Sequence, residues 1–199
     1  MINTFRRKPR QLSRPRFIEM MLDLQQTTAA DLLKASREDF KPETDEKLVR
    51  LECEILSLWI LSLVIVAIVG DESGNDLRDD IHNEYCLSKG YTRDATIQFF
   101  AYLGKRYGEY FEGYNIWTKD HVSGDLLGLR LLGALRGQAS GSKLPLDNPV
   151  LASHASSLVI DRFMSNLQLV SDLKKKFDMS EIGSAFAKDS SPANCQQRS

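Results

Sequence analysis

The run Lys47–Gly70 (KLVRLECEILSLWILSLVIVAIVG) constrains this chain more than any other, because whatever fold forms must bury it. In its first half Arg50, Glu54 and Ser57 recur at i, i+4 and i+7, a narrow polar stripe on an otherwise apolar helix. The stripe predicts an ion pair between Arg50 and Glu54 within the helix, with Glu54 partly buried. From Leu58 to Val69 only Ser62 is polar. A helix that is apolar all round lies at the centre of a bundle or crosses a membrane. The uncharged stretch Ile55–Gly70 is shorter than the ~20 residues a span requires. The neighbouring segments are amphipathic and need an apolar partner. The expectation is therefore a core helix over 48–69, with a membrane span as the alternative.

Those neighbours read as helices. Phe17, Met20, Met21, Leu24, Leu32 and Leu33 give residues 16–35 an apolar face, loosened near Thr27 and Thr28. Lys41–Pro42–Glu43 breaks the chain, and Thr44 or Asp45 is placed to cap the central helix. A turn over Gly70–Asn75 leads to a helix over 76–89 that faces inward through Leu77, Ile81 and Tyr85, and Gly90 ends it. Thr92 opens a helix to about Tyr114, buried through Phe99, Leu103, Tyr110 and their neighbours. Gly104 and Gly108 lie on one face of it, where a second helix has room to approach. Ile116–Val122 reads as a connection, followed by the Leu-rich helix DLLGLRLLGALRG. Asn148–Pro149 is a start signal for a last helix to about Phe177. No period-two strand pattern with hairpin turns is present. The fold class is all-α: a single bundle of about five or six helices around residues 48–69. The bundle domain covers 15–188, between a basic flexible arm at 1–14 and a disordered tail at 189–199.

Composition narrows the class further. At 42% hydrophobic and 27% charged, the 199 residues are those of a globular protein. The net charge of −1 gives the molecule no overall bias toward nucleic acid or anionic membrane. Cys53, Cys86 and Cys195 are odd in number and widely spaced, which suits a reducing, cytoplasmic setting better than a disulfide framework. No apolar segment of the secretory type follows the basic start. The Arg-rich opening also has too little Ser for a transit peptide, so that is the weaker reading.

Five features qualify as candidate sites. Asp79, His82 and Cys86 fall at i, i+3 and i+7 and are all metal-ligating types. One helix rarely supplies a whole site, and the trio sits off the Leu77/Ile81/Tyr85 face, so a solvated acidic face is expected instead. Glu52 and Glu54, two apart on a helix, point nearly opposite ways and cannot share a substrate. The aromatic helix 99–117, with Lys105 and Arg106 interleaved, could stack bases, but the same spacing describes a core stripe. Gly124, Gly128, Arg130, Gly133, Arg136 and Gly137 mark a small-residue helix fit to pack closely on a partner or within the bundle. Arg6, Arg7, Lys8, Arg10, Arg14 and Arg16 form an acid-free basic arm able to meet phosphates or anionic lipid.

There is no phosphate-binding Gly loop, dinucleotide fingerprint, nucleophile elbow or Cys-x-x-Cys, and no cofactor is implied. The leading expectation is a non-enzymatic helical interaction or regulatory module, acting on a protein partner or on a second copy of itself. A membrane-associated protein using 48–69 and 124–137, and a metal-binding protein or enzyme centred on Asp79, His82 and Cys86, are the alternatives. Nucleic acid is a disfavoured partner.

Overall fold

The computed structural model describes residues 10–40, 44–120, 125–138 and 149–182. Within them it is the all-α bundle that the hydrophobic pattern predicts. Six helices follow in order: α1 (Arg14–Ala35), α2 (Glu46–Val69), α3 (Asp71–Ser88), α4 (Arg93–Asp120), α5 (Asp125–Leu135) and α6 (Pro149–Lys176). A π-helix, Ser36–Phe40, continues α1. The short strands β1 (Arg10–Gln11) and β2 (Phe177–Asp178) pair in parallel.

Helix α2 is the axis. Asp45 caps it, accepting from the Lys47 N–H at 3.0 Å. Ile55, Leu56, Leu58, Trp59, Ile60, Leu61, Val64 and Ile65 are all buried. It packs against α1, α3 and α6, and α4 and α5 also reach it. Among the described residues α2 is the one helix long and apolar enough to cross a membrane, and 72% of its apolar window is covered by the rest of the chain.

Several boundaries differ from expectation for local reasons. The turn expected over 70–75 contracts to Gly70, whose φ of +91° is open to glycine at little cost. α3 starts immediately afterwards and folds back so tightly that a Cβ on Gly74 would meet the Val66 Cα at 3.0 Å. α4 is capped by Thr92, which accepts from the Ala95 N–H at 3.3 Å. It runs through the 116–120 stretch expected to be a connection, because no Pro or Gly there stops it.

The arm expected to be flexible over 1–14 is tied down from residue 10. Arg10 and Gln11 pair with Phe177 and Asp178, the Leu12 N–H donates to the Asp178 carbonyl at 2.8 Å, and the Leu12 side chain is buried. Residues 1–9 and the tail 189–199 lie outside the described residues.

Candidate functional site

Two carboxylates on α2 lead into two different environments. Glu52 is fully buried and faces α4. Its Oε1 accepts from Arg106 Nη2 at 2.8 Å, from Arg106 Nε at 3.1 Å, and from the Tyr102 hydroxyl. Arg106 is itself buried. It also donates to Glu109 Oε2 at 2.9 Å and to the Gln138 carbonyl at 2.9 Å. Burial pushes the Glu52 carboxyl above its ordinary range, with Tyr102 and Arg106 pulling the other way. Burial also works against the Arg106 charge, but Glu52, Glu109 and Tyr102 outweigh it and hold the guanidinium protonated. The network ties α2, α4 and the end of α5 together. Arg130 Nη1 lies 3.8 Å from Glu109 Oε1, so two cations meet the two carboxylates, and the charges are taken up by protein partners in the way a structural ion pair is held.

A second buried group joins α2, α3 and α4. His82 Nε2 lies 2.9 Å from the Tyr107 hydroxyl, and Ser62 Oγ sits 3.4 Å from both. Ser62 donates to the Leu58 carbonyl at 2.8 Å, so its oxygen faces Tyr107 and His82 as an acceptor. Burial lowers His82 to about 4, with Arg78 adding to the effect. Phe100 closes over the imidazole, ring centroids 6.3 Å apart. Serine, histidine and tyrosine are chemically versatile, but Ser62, His82 and Tyr107 line neither the groove beside Glu54 nor the hollow beside Arg14.

Glu54, on the other side of α2, borders a groove. This groove of about 710 Å³ runs between α1 with its π-helix on one side and α2 with the end of α3 on the other. One end is neutral and rich in hydrogen-bonding groups. There Gln25 donates to Ser57 Oγ at 2.8 Å, Lys89 Nζ meets Glu54 Oε1 at 2.7 Å, the Tyr85 hydroxyl donates to Glu54 Oε2 at 2.6 Å, and Ser88 stands alongside. Ala29, Ala30 and Leu33 line its middle. The other end carries Lys34, Arg37 and Arg50 with Glu38. Arg37 and Arg50 both rest on one oxygen of Glu46, the Arg50 contact being 3.4 Å. The π-helix brings Arg37 and Glu38 to this end, and such irregular turns recur at functional sites. A smaller hollow of about 520 Å³ between α1 and α3 is bordered by Arg14, Glu19, Asp80 and Glu84.

The candidate residues from the sequence are dispersed. Asp79 is exposed and bonds Arg78, whereas His82 and Cys86 are buried, so the solvated face expected for this trio is corrected. Helix α3 contacts both α1 and α2, and that second contact buries His82. Among the described residues no group of three His, Cys, Asp or Glu side chains could hold a metal ion.

The small-residue helix packs closely on α6 at Gly128. A Cβ on Gly128 would lie 1.8 Å from the Ala152 carbonyl oxygen, and the Gly128 N–H donates to Ser156 Oγ at 2.8 Å. Gly133 is buried, and Arg130 pairs with Glu112 at 2.8 Å. Gly137, at φ +73°, ends the helix beside Thr44 and Leu48, with Arg136 one residue before it. Gly124 lies outside the described residues. Among the described residues nothing lies within 4 Å of a Cβ at Gly104 or Gly108, so none of them makes the close approach expected there.

The basic arm is likewise divided. Arg14 donates to Asp80 at 2.8 Å and to the Ile182 carbonyl at 3.1 Å, while Arg16 pairs with Glu19. Arg10 is exposed, and Arg6, Arg7 and Lys8 lie outside the described residues. The Arg50–Glu54 pair expected within α2 is also replaced: Arg50 turns back to Glu46, and Glu54 takes Lys89.

The groove cations Lys34, Arg37 and Lys89 were not singled out by sequence reasoning, nor was the pairing of Glu52 with Arg106. The signal for that pair was an arginine set into an aromatic stripe. The groove has no such mark, because its walls come from three helices. Compared with known proteins, the chain matches no family model, no curated protein and no solved structure.

Proposed function

We propose that this chain is a non-enzymatic helical interaction and regulatory module that works by binding in the groove between α1, its π-helix, α2 and α3. The reading rests on the make-up of that groove. It is open to solvent, falls in the size range of ligand sites, and combines a small apolar middle with a neutral polar end and a cationic end. The versatile side chains of the interior support the non-enzymatic half of the proposal. Glu52, Ser62 and His82 are taken up in contacts between helices rather than aimed into the groove.

A photo-crosslinking amino acid at Ala30, compared in cells with one at the exposed Leu169 on α6, tests the proposal. We expect a discrete adduct at position 30, detected by mass, that is missing at 169. No adduct at 30, or the same adducts at both positions, would overturn it.

A further inference from the structure

We infer that the groove takes an elongated small molecule with a phosphate or carboxylate at one end, seated between Arg37 and Arg50. This rests on the groove being the recognition site. The polarity is graded along its length. Residues 25–26 and 37–38 mark its two ends, roughly 18 Å apart at helical rise. At the Gln25 end the Lys89 charge is matched by Glu54 at 2.7 Å, and amide and hydroxyl groups complete the surface. That end suits a neutral hydrogen-bonding group. Ala29, Ala30 and Leu33 then offer an apolar bed with little side-chain bulk.

At the π-helix end the balance tips to positive. Lys34, Arg37 and Arg50 face Glu38 within the lining, and two guanidinium groups share a single Glu46 oxygen on the rim. Glu46 is 62% exposed, so its carboxylate is held in solvent rather than locked into the core. Guanidinium groups match the planar, bidentate geometry of oxyanions. The Glu46 carboxylate occupies the position such an oxyanion takes, and yields it at modest cost because exposed ion pairs contribute little.

The test is an NMR titration of the full chain with phenyl phosphate, using inorganic phosphate and phenol as its two halves. We expect saturable shifts at Ala30, Leu33, Arg37 and Arg50, with both halves binding more weakly than the whole. Arg37→Gln and Arg50→Gln should each weaken binding about tenfold. Glu46→Gln should tighten it by roughly twofold to fivefold, because a competing carboxylate is gone. A merely structural role for Glu46 would not produce that gain.

Arg162→Gln, on α6, is the control and should leave binding unchanged. Thermal midpoints matching the parent chain establish that each variant folds. Absence of saturable binding at millimolar phenyl phosphate, indifference to Arg37→Gln, weaker binding in Glu46→Gln, or inorganic phosphate binding as well as phenyl phosphate would each overturn the inference. If one of these occurs while the Ala30 crosslink persists, the groove remains the recognition site and only its ligand class is wrong. If both fail, both readings fall.

Discussion

Glu52 and Glu54 stand two residues apart on α2 and point into opposite worlds. The first is wholly buried and meets Arg106, Tyr102 and Tyr110. The second borders a groove and meets a lysine that is 35% exposed. Both are carboxylates with a cation at close to 2.8 Å, yet the medium around them differs, and so does what each pair can do. In the interior, separating the charges strands one of them without water, so the pair acts as a fixed brace. At the groove, water screens the charges and the partners can be exchanged. A helix with one face against the core and one beside a cleft can therefore hold structure and recognition in adjacent residues.

This contrast can be broken most forcefully from the closed side. Arg106→Met leaves Glu52 buried with no cation, and we expect a loss of about 3–5 kcal/mol in denaturant unfolding. A loss below about 1 kcal/mol would mean that the network is open to water.

The next largest effect concerns pH. The unfolded chain protonates His82 at its ordinary value of 6.5, but the folded chain resists until about 4. The folded-state value is depressed, so this contribution is fully present above 6.5 and is lost as pH falls toward 4. At about 1.4 kcal/mol per pH unit the loss amounts to roughly 3 kcal/mol. His82→Gln should flatten that part of the stability–pH curve. An unchanged curve would assign the acid sensitivity elsewhere.

A smaller effect is expected at the α5–α6 contact. Gly128→Ala forces a methyl group into the Ala152 carbonyl and should cost about 1–3 kcal/mol in thermal or denaturant unfolding. A neutral result would mean that α5 and α6 can part freely. The smallest effect belongs to the groove. Lys89→Ala, which removes the partner of Glu54, should cost about 0.2–1 kcal/mol. A cost approaching that of Arg106→Met would erase the distinction between the two faces.

Much of the bundle was legible because burial leaves a periodic trace. The apolar run from Leu58, broken only by Ser62, marked α2 as the axis, and Asn148–Pro149 marked where α6 begins. Even the loosened stripe near Thr28 has its reason: Gln25 bonds Ser57, and Thr28 bonds Asn166, so polar positions on three helices meet one another. Partner choice was not legible. Arg50, four residues before Glu54, looked like its mate, and only the return of α3 along α2 brings Lys89 closer. The glycines of α5 fitted close packing on a partner or within the bundle, and only the fold shows that Gly128 admits the Ala152 carbonyl of α6. His82 looked solvated because one helix face was visible in the sequence and the packing of α3 against α2 was not. The groove was hidden for the same reason: its cations come from α1, the π-helix, α2 and the end of α3, with no spacing rule linking them.

The most direct measurement is a pair of double-mutant cycles by chemical denaturation, Glu52→Gln with Arg106→Met and Glu54→Gln with Lys89→Met. We expect a coupling energy of about 2–3 kcal/mol for the buried pair and below about 1 kcal/mol for the groove pair. Equal couplings, or the larger one at Glu54, would contradict the division of α2 into a bracing face and a recognition face.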